Sequence, residues 1–211
     1  MIYELRTYTL KPGSQPVVAK NAGEVARAIR GDDYGKLEGY WLTDIGPLNQ
    51  VLHLWSYENL EERRRLRAEL ARNKDWTDTY LPLIRPHLVR QDIRLMEACV
   101  TLKAPAAAGN VYEYRNYRAL PGRAREWARL FADVLPVREK YSKNVCAWIT
   151  EAGQPNEVSH LWAYPSLAAR TEARGGATKN TGLRAFLEKA TPLLEEMHST
   201  VILPAQHSPL Q

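Results

Sequence analysis

Ile2-Tyr-Glu-Leu-Arg-Thr-Tyr-Thr-Leu-Lys-Pro-Gly13 decides the fold, because it returns as Val111-Tyr-Glu-Tyr-Arg-Asn-Tyr-Arg-Ala-Leu-Pro-Gly122. Tyr3, Glu4, Arg6, Tyr8, Pro12 and Gly13 recur as Tyr112, Glu113, Arg115, Tyr117, Pro121 and Gly122, at an offset of 109 (112 − 3). A second block agrees: Asn49-Gln-Val-Leu-His-Leu-Trp-Ser-Tyr57 returns as Asn156-Glu-Val-Ser-His-Leu-Trp-Ala-Tyr164, at an offset of 107 (160 − 53). Two matched blocks in one order at nearly one offset imply two similar folding units.

Each unit reads the same way. Residues 2–10 alternate and are rich in Tyr and Thr, a strand pattern closed by Lys11-Pro-Gly. Ser14 is placed to cap a helix reaching Arg30, with Val18, Ala22, Val25 and Ile29 on its apolar side. Gly31 to Gly35 breaks it. Strands follow at 37–44 and 50–57 around the turn Gly46-Pro-Leu-Asn49. A charged helix begins near Glu58, and Arg63-Arg64-Arg65 reads as its solvated face. A helical stretch from Trp76 meets Pro82 and Pro86, and a strand from Val89 leads out to Leu102.

The second half predicts strands at 111–120, 145–151 and 157–164. It predicts helices at 123–140, 166–174 and 183–198 and a last strand at 200–203. The divisions expected are a first unit at 1–102, a linker at 103–110, a second unit at 111–204 and a tail at 205–211. This is β-α-β-β-α-β twice, two tandem ferredoxin-like units of α+β class. Helices on one face leave each sheet with a bare face. The economical arrangement packs sheet to sheet as a pseudo-dimeric α/β barrel with helices outside.

Composition narrows function. The 211 residues are 45% apolar and 25% charged, with a net charge of +5. Acidic and basic residues are interspersed and no basic-aromatic motif occurs, so nucleic acid is not an expected partner. No stretch is apolar and long enough to span a bilayer, and no leader pattern opens the chain, so a cytoplasmic location without membrane contact is expected. Cys99 and Cys146 are too few for a disulfide framework. The five histidines lie in no metal-ligand spacing, and no metal or cofactor is expected.

Alternation puts Glu4, Arg6 and Tyr8 on one strand face, with Glu113, Arg115 and Tyr117 equivalent. His53, Trp55 and Tyr57 share a face, as do His160, Trp162 and Tyr164. Two accounts fit. In one, these residues form a structural network that cements the sheets. In the other, His53 or His160 moves a proton, aided by Glu4 and Glu113, and Arg6 or Arg115 stabilises an oxyanion. Tyr8, Tyr117, Trp41, Trp55, Trp148, Trp162, Tyr57 and Tyr164 then wall a flat organic substrate. Arg174 to Gly182 has no counterpart in the first half and reads as a flexible surface turn. His198 is expected to end a helix, and His207 to sit in a loose tail.

The opening strand and the Asn49–Tyr57 block resemble those of NIPSNAP-family proteins, and the second half resembles them more loosely. The resemblance spans nearly the whole chain as two tandem copies. It implies the dimeric α/β-barrel superfamily, whose members include cofactor-free monooxygenases, haem-handling enzymes, lactone isomerases and polyketide cyclases. It carries over no agreed catalytic residue. The function expected is a cofactor-free small-molecule enzyme of monooxygenase, isomerase or cyclase type, acting on a flat apolar or aromatic substrate. The alternative is a non-catalytic ligand-binding or assembly module. A small organic partner is expected. So is a further homodimer, although the tandem arrangement also allows a monomer.

Overall fold

The computed structural model describes residues 1–211. Eight strands form a closed antiparallel barrel in the order β1-β3-β2-β8-β5-β7-β6-β4. The first unit supplies β1 (Ile2–Leu10), β2 (Lys36–Ile45), β3 (Gln50–Tyr57) and β4 (Leu88–Val100). The second supplies β5 (Val111–Ala119), β6 (Lys143–Ala152), β7 (Glu157–Tyr164) and β8 (Leu194–Pro204). Each unit's sheet has the ferredoxin-like order, β4-β1-β3-β2 in the first and β8-β5-β7-β6 in the second. Their inner faces meet, as expected, and the sheets also join edge to edge: β2 pairs with β8 and β4 with β6. Closure leaves no strand edge unpaired.

Helices pack on the outer faces. The first unit carries a helix at 15–30, widened by a π turn at Ala22–Ala26, a helix at Leu60–Arg72 and a helical run at 75–87. The second carries Ala124–Arg138, Leu167–Thr178 and Thr181–Ala190. Local caps set three starts. Asn59 accepts from the Glu62 N–H, Ser166 from the Ala169 N–H and Asn180 from the Leu183 N–H. Ser14 makes no such cap; its Oγ lies 2.9 Å from His87 Nδ1. Asn49 and Asn156 hold φ of 57° in matching turns, and their side chains accept from the Gly13 and Gly122 N–H groups.

Three stretches differ from expectation. The helix expected at 183–198 ends at Ala190, and β8 begins at Leu194. His198 is therefore an exposed strand residue, because β5 needs a partner along its free edge and tertiary pairing overrides the local apolar spacing. The segment from Arg174 continues a helix as far as Thr178. Gly176 permits this packing, since a Cβ there would lie 3.2 Å from the Tyr141 ring. The closing residues are not loose. The Tyr40 N–H donates to Ser208 Oγ, and Leu210 is buried in the barrel core.

That core is made by the inward residues of both sheets, including Leu5, Leu54, Met96, Tyr112 and Leu161. Trp41 and Trp148 belong to it. Around Trp41 and Trp148 the packing is close, with a gap of about 10 Å³ among Leu5, Leu54, Met96 and Leu161. Trp148→Ala is expected to lower stability by about 3–5 kcal/mol through the cavity it leaves. Urea unfolding measures this. A loss below about 1 kcal/mol would mean that Trp148 does not fill the barrel.

Candidate functional site

Residues that alternate with the barrel core point outward, beneath the helices. Glu4 and Glu113 are wholly buried there. Burying a carboxylate is costly unless it is paired, and both are paired. Arg6 donates to Glu4 at 2.9 Å, and Arg63 reaches the same carboxylate from helix Leu60–Arg72. Glu113 receives Arg115 at 3.3 Å, Arg170 at 2.6 Å and Ser199 Oγ at 2.6 Å, with Arg174 at 3.7 Å. Burial works to raise the Glu113 carboxyl, but the bonds from Arg170 and Ser199 and the charges of Arg115 and Arg170 hold it below the usual carboxylate range. Arg63 thus departs from the solvated face expected of it. Arg64 and Arg65 stay exposed.

Beside each carboxylate stands a histidine. His53 pairs across the sheet with Arg6, and His160 with Arg115. Trp55 Nε1 donates to His53 Nδ1 at 2.6 Å, and Trp162 Nε1 donates to His160 Nδ1 at 2.5 Å. An indole nitrogen can only donate, so each Nδ1 must be an unprotonated acceptor. The neutral ring then carries its proton on Nε2. Burial pushes both histidines well below their ordinary value, with Arg6 and Arg30 adding to the effect at His53 and Arg115 at His160. These rings are neutral N–H donors. The expectation that they move a proton meets a physical obstacle, because Nε2 has no lone pair to offer while the tryptophan holds Nδ1.

Each histidine lines a cavity between sheet and helices. In the second half it measures about 400 Å³. Trp127, Phe131, Phe186, Leu187 and Met197 form its apolar sides, and Arg115, Arg138 and Arg174 its charged ones. Trp127 stacks on His160 at 5.7 Å, with Phe131 at 4.9 Å and Tyr117 edge-on at 5.0 Å. His160 Nε2 and Arg115 Nε are buried without a hydrogen-bond partner. In the first half the cavity is about 330 Å³, and His53, Arg6, Tyr8 and Trp55 line it. Neither lining contains Asp or Glu.

The sequence-chosen residues therefore separate. His53, Arg6, Tyr8 and Trp55 come together, as do His160, Arg115, Tyr117 and Trp162. Glu4 and Glu113 lie behind the arginines. Tyr57 and Tyr164 pack in the same layer without lining a cavity. Trp41 and Trp148 face the opposite way. Register shifts between Leu37 and Gly39, and between Asn144 and Cys146, reverse the strand face ahead of each tryptophan. Burial lifts the Cys99 thiol to about 11 and the Cys146 thiol higher, so neither is a thiolate.

The sequence reading missed the helix arginines. Arg30 lies 3.5 Å over the Trp55 ring and Arg138 4.6 Å over the Trp162 ring. Arg63 matches Arg170, and Arg67 matches Arg174. All three pairs keep the repeat's offset of 107 or 108 (138 − 30, 170 − 63, 174 − 67), which was the available signal.

Two tandem ferredoxin-like units closed into one barrel, with a cavity under the helices of each, define a protein of the dimeric α/β-barrel class. The NIPSNAP family model matches residues 3–103 and again 112–209. The whole chain aligns at 30% identity with 77% of Protein NipSnap homolog 1 of Danio rerio, and at 29% with 75% of Protein NipSnap homolog 2 of Homo sapiens. The chain belongs to the NIPSNAP family. Among solved structures it is similar to a candidate monooxygenase from Fusobacterium nucleatum (TM-score 0.72, 10% identity, 97% of this chain and 92% of that one). It is also similar to an anthrone oxidase-like protein (0.68, 12%, 97% and 93%). At these identities the likeness is one of fold. No helix is long and apolar enough to cross a membrane.

The neutral histidines have a measurable consequence. Unfolded, both rings bind a proton below about pH 6.5; folded, they resist it. Protonation therefore favours the unfolded chain as pH falls. Stability is expected to be full above about pH 6.5 and to fall by about 1.4 kcal/mol per pH unit for each ring below it. Denaturant unfolding at pH 7.5 and 5.5 tests this, alongside histidine side-chain NMR. Equal stabilities at the two values would show that the rings are not held neutral.

Proposed function

We propose that this protein is a cofactor-free enzyme acting on a flat, aromatic organic molecule that ionises as an enol or phenol, with the second-half cavity as its active site. One observation carries the reading. Two donor side chains, the buried His160 and the partly buried Arg115, each with a buried, unpartnered ring or guanidinium nitrogen, stand at the wall of a cavity with aromatic sides and no acidic lining residue. Such donors suit a negative oxygen. Trp127, Phe131 and Phe186 suit a planar ring system.

His160 and Arg115 would stabilise the conjugate base rather than take its proton, which passes to water. An electron-rich enolate is the common starting point for oxygenation, isomerisation and cyclisation. In the oxygenase form, the carbanion carbon gives its electron pair to dioxygen and a C–O bond forms. The resulting hydroperoxide, once protonated, loses water to leave a carbonyl. The fold neighbours named for monooxygenation and anthrone oxidation guide the choice of probe.

A second reading has its own support. The absence of Asp or Glu from the cavity lining favours binding without turnover, as in a carrier.

Anthrone in air, followed by an oxygen electrode, separates the two. Oxygen uptake above the uncatalysed rate is expected. Arg115→Met and His160→Leu are each expected to lower kcat by about 10²-fold, the usual effect of losing one oxyanion donor. Tight binding without uptake would leave the carrier reading. Neither binding nor uptake would remove the proposal for this substrate class.

A further inference from the structure

Each cavity is lined by three matching arginines, Arg6, Arg30 and Arg67 in the first half and Arg115, Arg138 and Arg174 in the second, and the two differ in how many of these the buried carboxylate answers. In the second half Glu113 draws in Arg115, Arg170 and Arg174. In the first half Glu4 is taken by Arg6 and Arg63. Arg67, the counterpart of Arg174, forms no ion pair and no hydrogen bond, yet it lines the cavity. Arg30 also lines it and is 3% exposed. One of its nitrogens donates to the Tyr34 carbonyl at 2.7 Å. Its Nε and that of Arg6 are buried without partners.

Five arginines line this cavity of about 330 Å³, which contains no acidic side chain; Arg27 is paired with Asp32 and Arg85 is exposed, which leaves Arg6, Arg30 and Arg67 as the inner three. Arg6 keeps Glu4 as its counter-charge, but Arg30 and Arg67 have no ion-pair partner, and a guanidinium group so placed is unfavourable in an apolar setting. Burial, aided by Arg67, lowers Arg30 to about 10, and burial with Arg6 lowers Arg67. Trp55, Trp76, Tyr8, Tyr40 and Tyr80 supply aromatic parts of the wall, and aliphatic residues such as Val18, Leu70 and Ile84 fill much of the remainder. His207, brought in by the packed C-terminal residues, lies 4.6 Å from Tyr40 and closes one side. Gly23 makes room for it, since a Cβ there would come within 2.7 Å of the imidazole.

We infer that the first-half cavity binds a flat organic carboxylate, held by Arg6, Arg30 and Arg67 between aromatic walls. The planar guanidinium fork matches a carboxylate, and one such anion supplies the charge that the protein leaves out. The volume falls in the range of small-molecule sites. This inference does not rest on turnover in the second half. It makes the two cavities chemically distinct, one for an ionisable ring system and one for a preformed anion.

The test is calorimetric titration of the full chain with 1-naphthoate and with 1-naphthamide, its neutral counterpart. Naphthoate is expected to bind, and naphthamide at least tenfold more weakly. Arg67→Met should weaken naphthoate at least tenfold. Arg138→Met, in the other cavity, should leave naphthoate affinity unchanged. A ligand-free measurement adds a check: Arg67→Met should raise the thermal midpoint, because it removes an uncompensated charge and keeps an apolar stem. The inference is overturned if naphthoate does not bind, if the amide binds equally, or if Arg138→Met abolishes binding and Arg67→Met does not. A fall in the Arg67→Met midpoint would likewise overturn it, by making Arg67 a structural group.

Discussion

A carboxylate with no access to water governs the layer between sheet and helices. Glu4 sits on the first strand of its unit and Glu113 on the equivalent strand. A carboxylate buried there is costly unless guanidinium partners answer it. One partner, Arg6 or Arg115, comes from the same strand two residues on, which alternation guarantees. Another, Arg63 or Arg170, comes from the helix above, so the ion pair fixes helix to sheet. The strand arginine in turn sits opposite the histidine of the next strand. Carboxylate, arginine, histidine and tryptophan form one chain of contacts. Its far end is a neutral N–H donor beside a cavity.

Much of this was legible in the sequence because it depends on strand parity and repetition. Glu, Arg and Tyr spaced by two must share a face, and so must His, Trp and Tyr. The structure places both sets on the helix side. What was not legible came from events that local pattern does not record. A β-bulge adds one residue and reverses every later side chain, so Trp41 and Trp148 turned into the barrel while Leu37 stayed outside with Trp55. The end of helix Thr181–Ala190 was hidden by apolar residues at helical spacing. A Pro-containing 3-10 turn at Thr191–Leu193 actually leads into β8, as Arg85–His87 leads into β4.

The helix arginines were hidden for another reason. A basic residue on a charged helix usually marks solvent, and Arg64 and Arg65 do. Arg63 differs from them only in its angular position, which turns it toward the sheet. Single-helix composition cannot make that distinction. Recurrence at the offset already seen in the strands could have done so, since Arg170 and Arg174 keep it while Arg64 and Arg65 have no basic counterparts (Thr171 and Glu172).

The two units use one frame and answer its electrostatic demand differently. In the second, three arginines crowd one carboxylate, Ser199 and Tyr164 complete its hydrogen bonds, and the cavity is left mainly apolar. In the first, Glu4 satisfies two arginines, and Arg30 and Arg67 face a cavity without counter-charge. A stable fold tolerates that arrangement because the guanidinium of Arg30 lies 3.5 Å over the Trp55 ring and donates to a carbonyl, which compensates part of its desolvation. An anion held by Arg6, Arg30 and Arg67 would compensate the remainder. The proposed anion of the first unit would thus be held by relief of repulsion among arginines, and the proposed oxyanion of the second by donors that the protein does not itself pair.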